Sequence, residues 1–220
     1  RPPPASSAMS WMTKFRSRSR RAARSAALLA LLLLPGCVSS SGVPAARIAE
    51  GDIAAAYLPL RKRTNLGIDS DNGAAVVIAP GIAVTNAHNR NLVDPASVIG
   101  ARRDYDLLFF RTARRSAPAT AQPVPGAAVT AYGQGVDGEL RTARGVIRQI
   151  KTSPGAAIAD WFTFAGNAGP GFSGGPVLDA SGRLIGITFG YKDSGRERLI
   201  YAYDMARVRA EFSALPKRSN

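Results

Sequence analysis

The sequence has few of the residues on which several common kinds of site and scaffold depend. A single cysteine, Cys37, excludes an internal disulfide, so a folded domain has to be held together by packing alone. A single histidine, His88, excludes the HExxH pair of zinc peptidases and other clustered metal-ligand patterns. We therefore expect no metal site.

Acidic residues are also scarce, with 15 against 29 basic residues and a formal net charge of +14. Half of that charge lies in residues 1–36, which contain seven basic residues and no acidic one. The remaining charge is scattered and is not interleaved with aromatic residues, as it would be in an RNA-binding surface. We expect no nucleic-acid partner.

Long hydrophobic runs are absent as well. The run Ala26–Leu34 is too short to span a bilayer, but it follows the basic stretch Lys14–Arg24 and has the length of the apolar region of a secretory signal. Met12 or Met9 is the expected start. Residues 1–36 are therefore interpreted as upstream sequence followed by a signal peptide.

The apolar run ends at Leu34-Pro35-Gly36-Cys37, which resembles the lipobox of bacterial lipoproteins. The resemblance implies that Cys37 is lipidated and becomes the first residue of the mature protein, with the membrane as a partner through this anchor. Since Val38 rather than Asp follows, the expected location is the outer membrane, facing the periplasm. The alternative is an incidental cysteine in an ordinary leader. Residues 37–51, rich in Ser, Gly and Ala, are predicted to be the tether.

The rest of the chain shows many short apolar runs separated by Gly and Pro, which favours an all-β barrel or sandwich. The Pro- and Ala-rich stretch Pro118–Pro125 is predicted to connect two halves, 52–117 and 118–220. The run Ile53–Leu60 fits either a short helix or a first strand. Near the end, Asp204 is a predicted N-cap of a helix whose apolar face holds Met205, Val208 and Phe212.

Three stretches carry residues suited to nucleophilic catalysis. Ser173 lies in the glycine-rich stretch Gly169–Pro176, where a tight turn can expose its hydroxyl and aim backbone N–H groups at an oxyanion. His88 is the one possible imidazole base and follows a predicted strand. Asp106 directly precedes the apolar run that begins at Leu107, although Asp104 is a rival. Taken singly, each stretch also fits an ordinary loop, a surface histidine or a capping aspartate.

Together, Thr85-Asn86-Ala87-His88, Asp106-Leu107-Leu108-Phe109 and Gly171-Phe172-Ser173-Gly174-Gly175-Pro176 resemble the trypsin-like (chymotrypsin-fold) serine peptidases, especially the compact bacterial, Deg-related branch. The order His, Asp, Ser is the order of that fold and differs from those of subtilisins and α/β-hydrolases. The resemblance implies two packed antiparallel β-barrels, a C-terminal helix and a serine endopeptidase that acts on protein or peptide substrates.

The resemblance also implies the roles of particular residues. His88, Asp106 and Ser173 would form the catalytic triad, and the N–H groups of Gly171 and Ser173 would form the oxyanion hole. The floor of the primary specificity pocket would be Asn167, six residues before the serine, and its walls would be Thr188, Phe189 and Gly190. With no acidic residue at that floor, a small or medium apolar substrate side chain is expected.

The chain departs from the family in ways that keep a second interpretation open. Seventeen residues separate His88 from Asp106, which is short for the family and predicts a reduced first barrel with a less securely placed Asp106. The residues Asn89 and Arg90 are not the common sequel to the histidine. A catalytically inactive, lipid-anchored binding or scaffold protein is therefore the alternative, ahead of a cell-wall-binding lipoprotein without peptidase ancestry.

Two further patterns limit the partners. Gly133–Gly138 matches GxGxxG but leads toward another strand, so it is predicted to be a tight turn and no cofactor is expected. The sequence after the serine leaves no room for a PDZ domain, so no PDZ-mediated partner is expected.

Overall fold

The computed structural model describes residues 41–63, 70–194 and 197–216. The signal-peptide and lipobox predictions, including Cys37, lie outside these residues. Among the described residues, no helix is both long and apolar enough to cross a membrane.

The described residues form twelve strands and two α-helices, with short 3-10 helices at Ala87–Leu92, Pro95–Ser97 and Arg103–Tyr105. In chain order the elements are β1 (Val43–Pro44), α1 (Gly51–Ala56), β2 (Tyr57–Arg63), β3 (Ser70–Ala79), β4 (Ile82–Asn86), β5 (Val98–Arg102), β6 (Leu107–Arg111), β7 (Ala128–Gln134), β8 (Leu140–Lys151), β9 (Trp161–Ala165), β10 (Pro176–Asp179), β11 (Leu184–Ser194), β12 (Glu197–Asp204) and α2 (Met205–Ser213).

The second half of the chain closes into a barrel. Its strand order is β8-β7-β10-β11-β12-β9, and β9 pairs back onto β8 so that six strands form a ring. All of these pairings are antiparallel. The predicted turn at Gly133–Gly138 joins β7 to β8 as a hairpin. The interior of the barrel holds a separate apolar cluster that includes Phe162, Phe164 and Phe172.

The first half forms an antiparallel five-stranded sheet in the order β2-β3-β4-β6-β5. Among the described residues no pairing between β2 and β5 closes it. The fold is therefore the expected double-barrel arrangement with a reduced first barrel. The ambiguous run Ile53–Leu60 contains both predicted elements, because α1 ends at Ala56 and β2 begins at Tyr57.

The C-terminal helix α2 packs on the first sheet, although it follows the last strand of the second barrel. Asp204 caps it as predicted, with its side chain accepting a hydrogen bond from Ala206 N at 2.7 Å. Met205 and Val208 belong to the core cluster of the first sheet, and the rings of Phe212 and Phe109 have centroids 5.2 Å apart. The helix thus covers apolar surface that the reduced first barrel leaves open.

The predicted tether is in part a piece of the folded domain. Ser41 and Gly42 are buried, β1 pairs with β8, and Ile48 belongs to the core of the first sheet. The small residues that suggested a flexible linker instead allow the backbone to lie close to the barrel. The tether was expected to comprise residues 37–51, and this expectation is corrected for residues 41–51, which belong to the folded domain.

A buried ionic cluster ties α2 to the second barrel. Asp160 accepts hydrogen bonds from Arg207, whose Nη2 lies 2.7 Å from Oδ1, and from Ser153 N at 2.8 Å. Arg207 also contacts Glu211 at 3.3 Å. Burial raises the pKa of Asp160, but the hydrogen bonds from Ser153 and the charge of Arg207 outweigh it and lower that pKa.

We expect Asp160→Asn to lower the free energy of unfolding by roughly 2–3 kcal/mol at neutral pH, less than a fully orphaned buried charge costs, because Arg207 keeps Glu211. A depressed carboxyl pKa stabilises the fold above the unfolded-state value and ceases to do so as pH falls through the folded value. The difference between wild type and variant should therefore shrink below about pH 4 in urea titrations.

The matched control is Asp193→Asn. The Asp193–Arg198 pair is equally short, at 2.6 Å, but the Asp193 side chain is 64% exposed. An exposed pair contributes little to stability, because solvent screens the two charges. Equal losses in the two variants would contradict a structural role for the Asp160 cluster.

Candidate active site

His88 and Asp106 meet because β4 and β6 are neighbouring antiparallel strands. Asn86, the last residue of β4, lies opposite Leu107, the first residue of β6. His88 follows β4 and Asp106 precedes β6, so the two residues come to the same edge of the sheet. His88 Nδ1 lies 2.7 Å from Asp106 Oδ2, and His88 N donates to Asp106 Oδ1 at 3.0 Å.

The backbone holds Asp106 firmly despite the short spacing. Asp106 adopts a left-handed conformation with φ 46°, which aspartate tolerates better than most residues. Its carbonyl accepts from Ala87 N at 2.8 Å and from the Asn86 side chain at 3.3 Å. The side chain is 34% exposed, so it is less buried than a triad aspartate was expected to be.

Asp104 occupies a different place from Asp106. It lines a separate cavity with Tyr105 and Asp160, and among the described residues it makes no hydrogen bond to His88.

Tyr203 lies close to Asp106 and stacks on Phe189 with ring centroids 4.0 Å apart. Burial, and then the charge of Asp106, raise the pKa of Tyr203, so its hydroxyl stays neutral.

The backbone of Ser173 is bound to the sheet that carries His88. Its carbonyl accepts from Ala74 N at 2.9 Å and from Asn89 Nδ2 at 3.1 Å. The next residue, Gly174, has φ +81°, and a Cβ there would collide with the Ala74 carbonyl and Thr85 Oγ1. The loop can therefore approach the first sheet only with glycine at this position.

Asn89 was noted in the sequence only as an unusual sequel to the histidine. In the structure it is buried, and its Nδ2 also donates to Thr85 Oγ1 at 3.0 Å. It therefore joins the segment that carries His88 to the loop that carries Ser173. Its position directly after the histidine gave no sign of this role, because the burial of Asn89 and its two acceptors arise from the fold.

The structure forms one of the two side-chain contacts expected of a triad. The His88–Asp106 contact is made, but within the described part of the chain no hydrogen bond joins Ser173 Oγ to His88 Nε2. Catalytic hydrogen bonds are often long without substrate and tighten only when it binds.

Two backbone N–H groups beside Ser173 have the features of an oxyanion hole. Within the described segments, no acceptor pairs with the N–H groups of Gly171 and Ser173. Gly171 has φ +88°, and a Cβ there would collide with the carbonyl of Gln134. Gln134 N donates to Gly171 O at 2.9 Å, and the buried Gln134 side chain donates to Leu60 O at 3.2 Å. Gln134, which the sequence did not single out, thus ties this turn to the first sheet.

A cavity of about 290 Å³ opens beside Ser173, and Thr188, Phe189 and Gly190 are among the residues that line it. Asn167 does not: it lines another cavity with Val43 and Thr142, and its carbonyl accepts from Gly42 N at 2.8 Å. The other residues that line the cavity beside Ser173 are uncharged, and they are Ala168, Gly169, Pro170, Phe172, Tyr191 and Ile200. The prediction for Asn167 is corrected, since the loop turns its backbone toward the N-terminal segment.

The sequence model of the trypsin-like peptidase domain matches residues 68–187, which is more than half of the chain. The chain belongs to the trypsin-like peptidase family. The matched range contains His88, Asp106 and Ser173, and it includes most of the two sheets just described. No curated protein matches the chain significantly.

Solved structures of trypsin-like proteases share the fold at low sequence identity. The active form of the Rv3671c protease from M. tuberculosis is 18% identical, with a TM-score of 0.61 over 81% of this chain and 91% of that chain. Its inactive form is 19% identical, with a TM-score of 0.59 over 80% and 99%. The HtrA-type protease AlgW, with a tripeptide, is 20% identical, with a TM-score of 0.59 over 74% of this chain and 60% of that chain. The predicted trypsin-like, Deg-related fold is confirmed.

We expect Asp106→Asn to slow the reaction of Ser173 with a fluorophosphonate by about 10⁴-fold, because an amide facing Nδ1 favours the wrong imidazole tautomer. Asp104→Asn, two residues away and without a contact to His88, serves as the control and should react at close to the wild-type rate. Stopped-time gel labelling of both variants gives the rates. The opposite ranking would show that Asp104 is the partner of His88.

Proposed function

We propose that this trypsin-like family member is a serine endopeptidase that hydrolyses peptide bonds of envelope or extracellular proteins. The observation that carries the proposal is that the first sheet carries the His88–Asp106 pair and also binds the carbonyl of Ser173. Beside that serine, the N–H groups of Gly171 and Ser173 have no acceptor among the described residues.

The proposed reaction has two halves, acylation of Ser173 and hydrolysis of the acyl-enzyme, and the same groups act in both. Ser173 Oγ attacks the scissile carbonyl carbon while His88 Nε2 takes its proton, and Asp106 stabilises the resulting imidazolium. The N–H groups of Gly171 and Ser173 bind the oxyanion of the tetrahedral intermediate. His88 then gives the proton to the leaving amine, and an attacking water, activated by His88, releases the acyl group and restores Ser173.

The cavity beside Ser173 supports a preference for small or medium apolar side chains in the substrate. Ala168 and Ile200 are among the described residues that line it, and none of these residues is charged. A buried ammonium or guanidinium without a partner would be costly there. We therefore propose that peptides with Ala, Val or Leu before the scissile bond are cleaved in preference to those with Lys or Arg.

One observation favours a second candidate function. The missing Ser173–His88 hydrogen bond, together with the open first sheet, fits a family member that binds peptides without cleaving them. A binding protein would keep the cavity and the bound loop but would leave the serine unactivated.

Fluorophosphonate labelling separates the two functions without knowledge of the natural substrate. A serine reacts with such a probe only when an adjacent base and an oxyanion hole activate it. We expect the wild type to label and to cleave unfolded casein, Ser173→Ala to do neither, and His88→Ala to do so only weakly. A folded wild-type protein that does not label would contradict the peptidase function and favour the binding function.

We also propose that the protein is an outer-membrane lipoprotein anchored through Cys37. The support is the basic and apolar leader followed by Leu34-Pro35-Gly36-Cys37, and the absence of another cysteine that could be modified. Several acyl chains at one terminus would hold the domain stably at the membrane, where a single chain would do so only marginally.

We propose that the two barrels lie within residues 52–117 and 118–220.

We expect metabolic labelling with a fatty-acid analogue to mark the wild type and not Cys37→Ala, because lipidation needs the thiol. The variant should also move from the membrane fraction to the soluble fraction. Ser39→Ala, two residues later in the same segment, is the control and should label like wild type. Equal labelling of wild type and Cys37→Ala would refute the anchor.

A further inference from the structure

The segment Ser41–Pro44, here called the N-terminal strap, lies directly against the loop that precedes Ser173. Its last two residues form β1, in which Val43 lies opposite Thr142 and Pro44 opposite Arg141 of β8. Beyond it, Ala45 N donates to Leu140 O at 3.0 Å. The strap is thus held on the second barrel by backbone pairing.

The strap touches the serine loop at three points. Gly42 N donates to Asn167 O at 2.8 Å, which joins the strap to the residue that was expected at the floor of the specificity pocket. Ser41 is 3% exposed, and its side chain packs so closely on Gly169 that a Cβ on that glycine would collide with Ser41 Oγ. Gly42 packs on the ring of Phe172, where a Cβ on Gly42 would lie 2.7 Å from Cζ.

The loop residues in contact with the strap belong to the candidate active site. Gly169 and Phe172 line the substrate cavity, and Phe172 stands between Gly171 and Ser173, whose N–H groups form the candidate oxyanion hole. The loop is also held by Gln134 N, which donates to Gly171 O at 2.9 Å, by Thr188 Oγ1, which donates to Phe172 O, and by Arg198 Nη1, which donates to Ala168 O at 3.3 Å. Because Phe172 is covalently joined to both Gly171 and Ser173, a displacement of its backbone would move both oxyanion donors.

From these contacts we infer that the strap is a positioning element for the oxyanion hole and the substrate cavity, with Gly42 as its central residue. The inference rests on the proposed peptidase function and adds a requirement to it: the segment that follows the predicted lipidation site has to be seated on the barrel for full activity. Gly42 suits this role because its φ of +66° and its contact with Phe172 both exclude a side chain.

The test compares Gly42→Ala with Gly126→Ala in the full-length protein. Gly126 has a similar φ of +80°, but nothing lies within 4 Å of the position where its Cβ would be. Both variants place alanine in the left-handed region at a similar backbone cost, so their melting temperatures should fall. Of the two, only Gly42→Ala also places a Cβ 2.7 Å from Phe172 Cζ and 2.9 Å from the Thr142 carbonyl oxygen, so only this variant displaces the strap and the Phe172 ring relative to each other.

We expect Gly42→Ala to reduce the rate of labelling by a small fluorophosphonate about 10- to 100-fold, since a misplacement of about 1 Å has effects of that size on catalysis. Gly126→Ala should label like wild type. The small probe reports the oxyanion hole and not filling of the substrate cavity, so purely structural destabilisation would not produce the difference at temperatures well below both transitions.

Ser41→Val provides a milder variant in case Gly42→Ala does not fold. It replaces the hydroxyl that packs against Gly169 by a methyl group and adds a second methyl group, and it should slow labelling in the same direction by a smaller factor. Labelling of Ser41→Val, and of any folded Gly42→Ala, at the rate of Gly126→Ala would overturn the positioning role while the peptidase function stands. A wild-type protein that does not label would overturn the proposed function itself, and this inference with it.

Discussion

The structure depends on the contact between the Ser173 loop and the first sheet. The carbonyl of Ser173 accepts from Ala74 N and Asn89 Nδ2, and Gly174 packs without a side chain against β3 and β4. These short contacts bring a turn of the second barrel to the strand end that carries His88. A Cβ at Gly174 would force the two sheets apart and separate Ser173 from its proposed base.

The reduced first barrel explains why other elements are drawn into this arrangement. With five strands and an open edge, the first sheet cannot enclose its own core, and α2 supplies Met205, Val208 and Phe212 to cover it. The ion pair of Arg102 with the buried Glu211, at 2.7 Å, fixes the helix on β5. The carbonyl of Asp106 accepts hydrogen bonds from Ala87 N and the Asn86 side chain at the end of β4. A short connection between β4 and β6 is therefore enough to hold Asp106 in place.

Much of the site could be predicted from local sequence because local chemistry determines it. Asp106 directly precedes an apolar strand, Ser173 is flanked by glycines that adopt positive φ, and Asp204 caps the last helix. The pairing of β4 with β6, which brings His88 to Asp106, could not be read from strand order, because β5 lies between the two strands in sequence. The contact of His88 with Asp106 was expected only from the family resemblance.

The features that the sequence did not predict correctly depend on contacts between segments that are distant in sequence. The position of Asn167 was expected from its distance in sequence to the serine, but Asn167 lines a different cavity, with Val43 and Thr142, and its carbonyl accepts from Gly42 N. Ser41 and Gly42 have the composition of a linker, and only the fit of Gly42 on Phe172 gives them a fixed place. Gln134 and Asn89 could not be assigned from sequence, because their importance comes from carbonyls that the fold brings to them.

The most direct test of the account is a crystal structure of the protein after reaction with a phosphonate inhibitor. The account predicts a covalent bond from Ser173 Oγ to phosphorus, with His88 Nε2 within hydrogen-bond distance of Ser173 Oγ. A phosphoryl oxygen should lie about 2.7–3.1 Å from the N–H groups of both Gly171 and Ser173. An unmodified Ser173, or an adduct whose phosphoryl oxygen points away from these N–H groups, would contradict it.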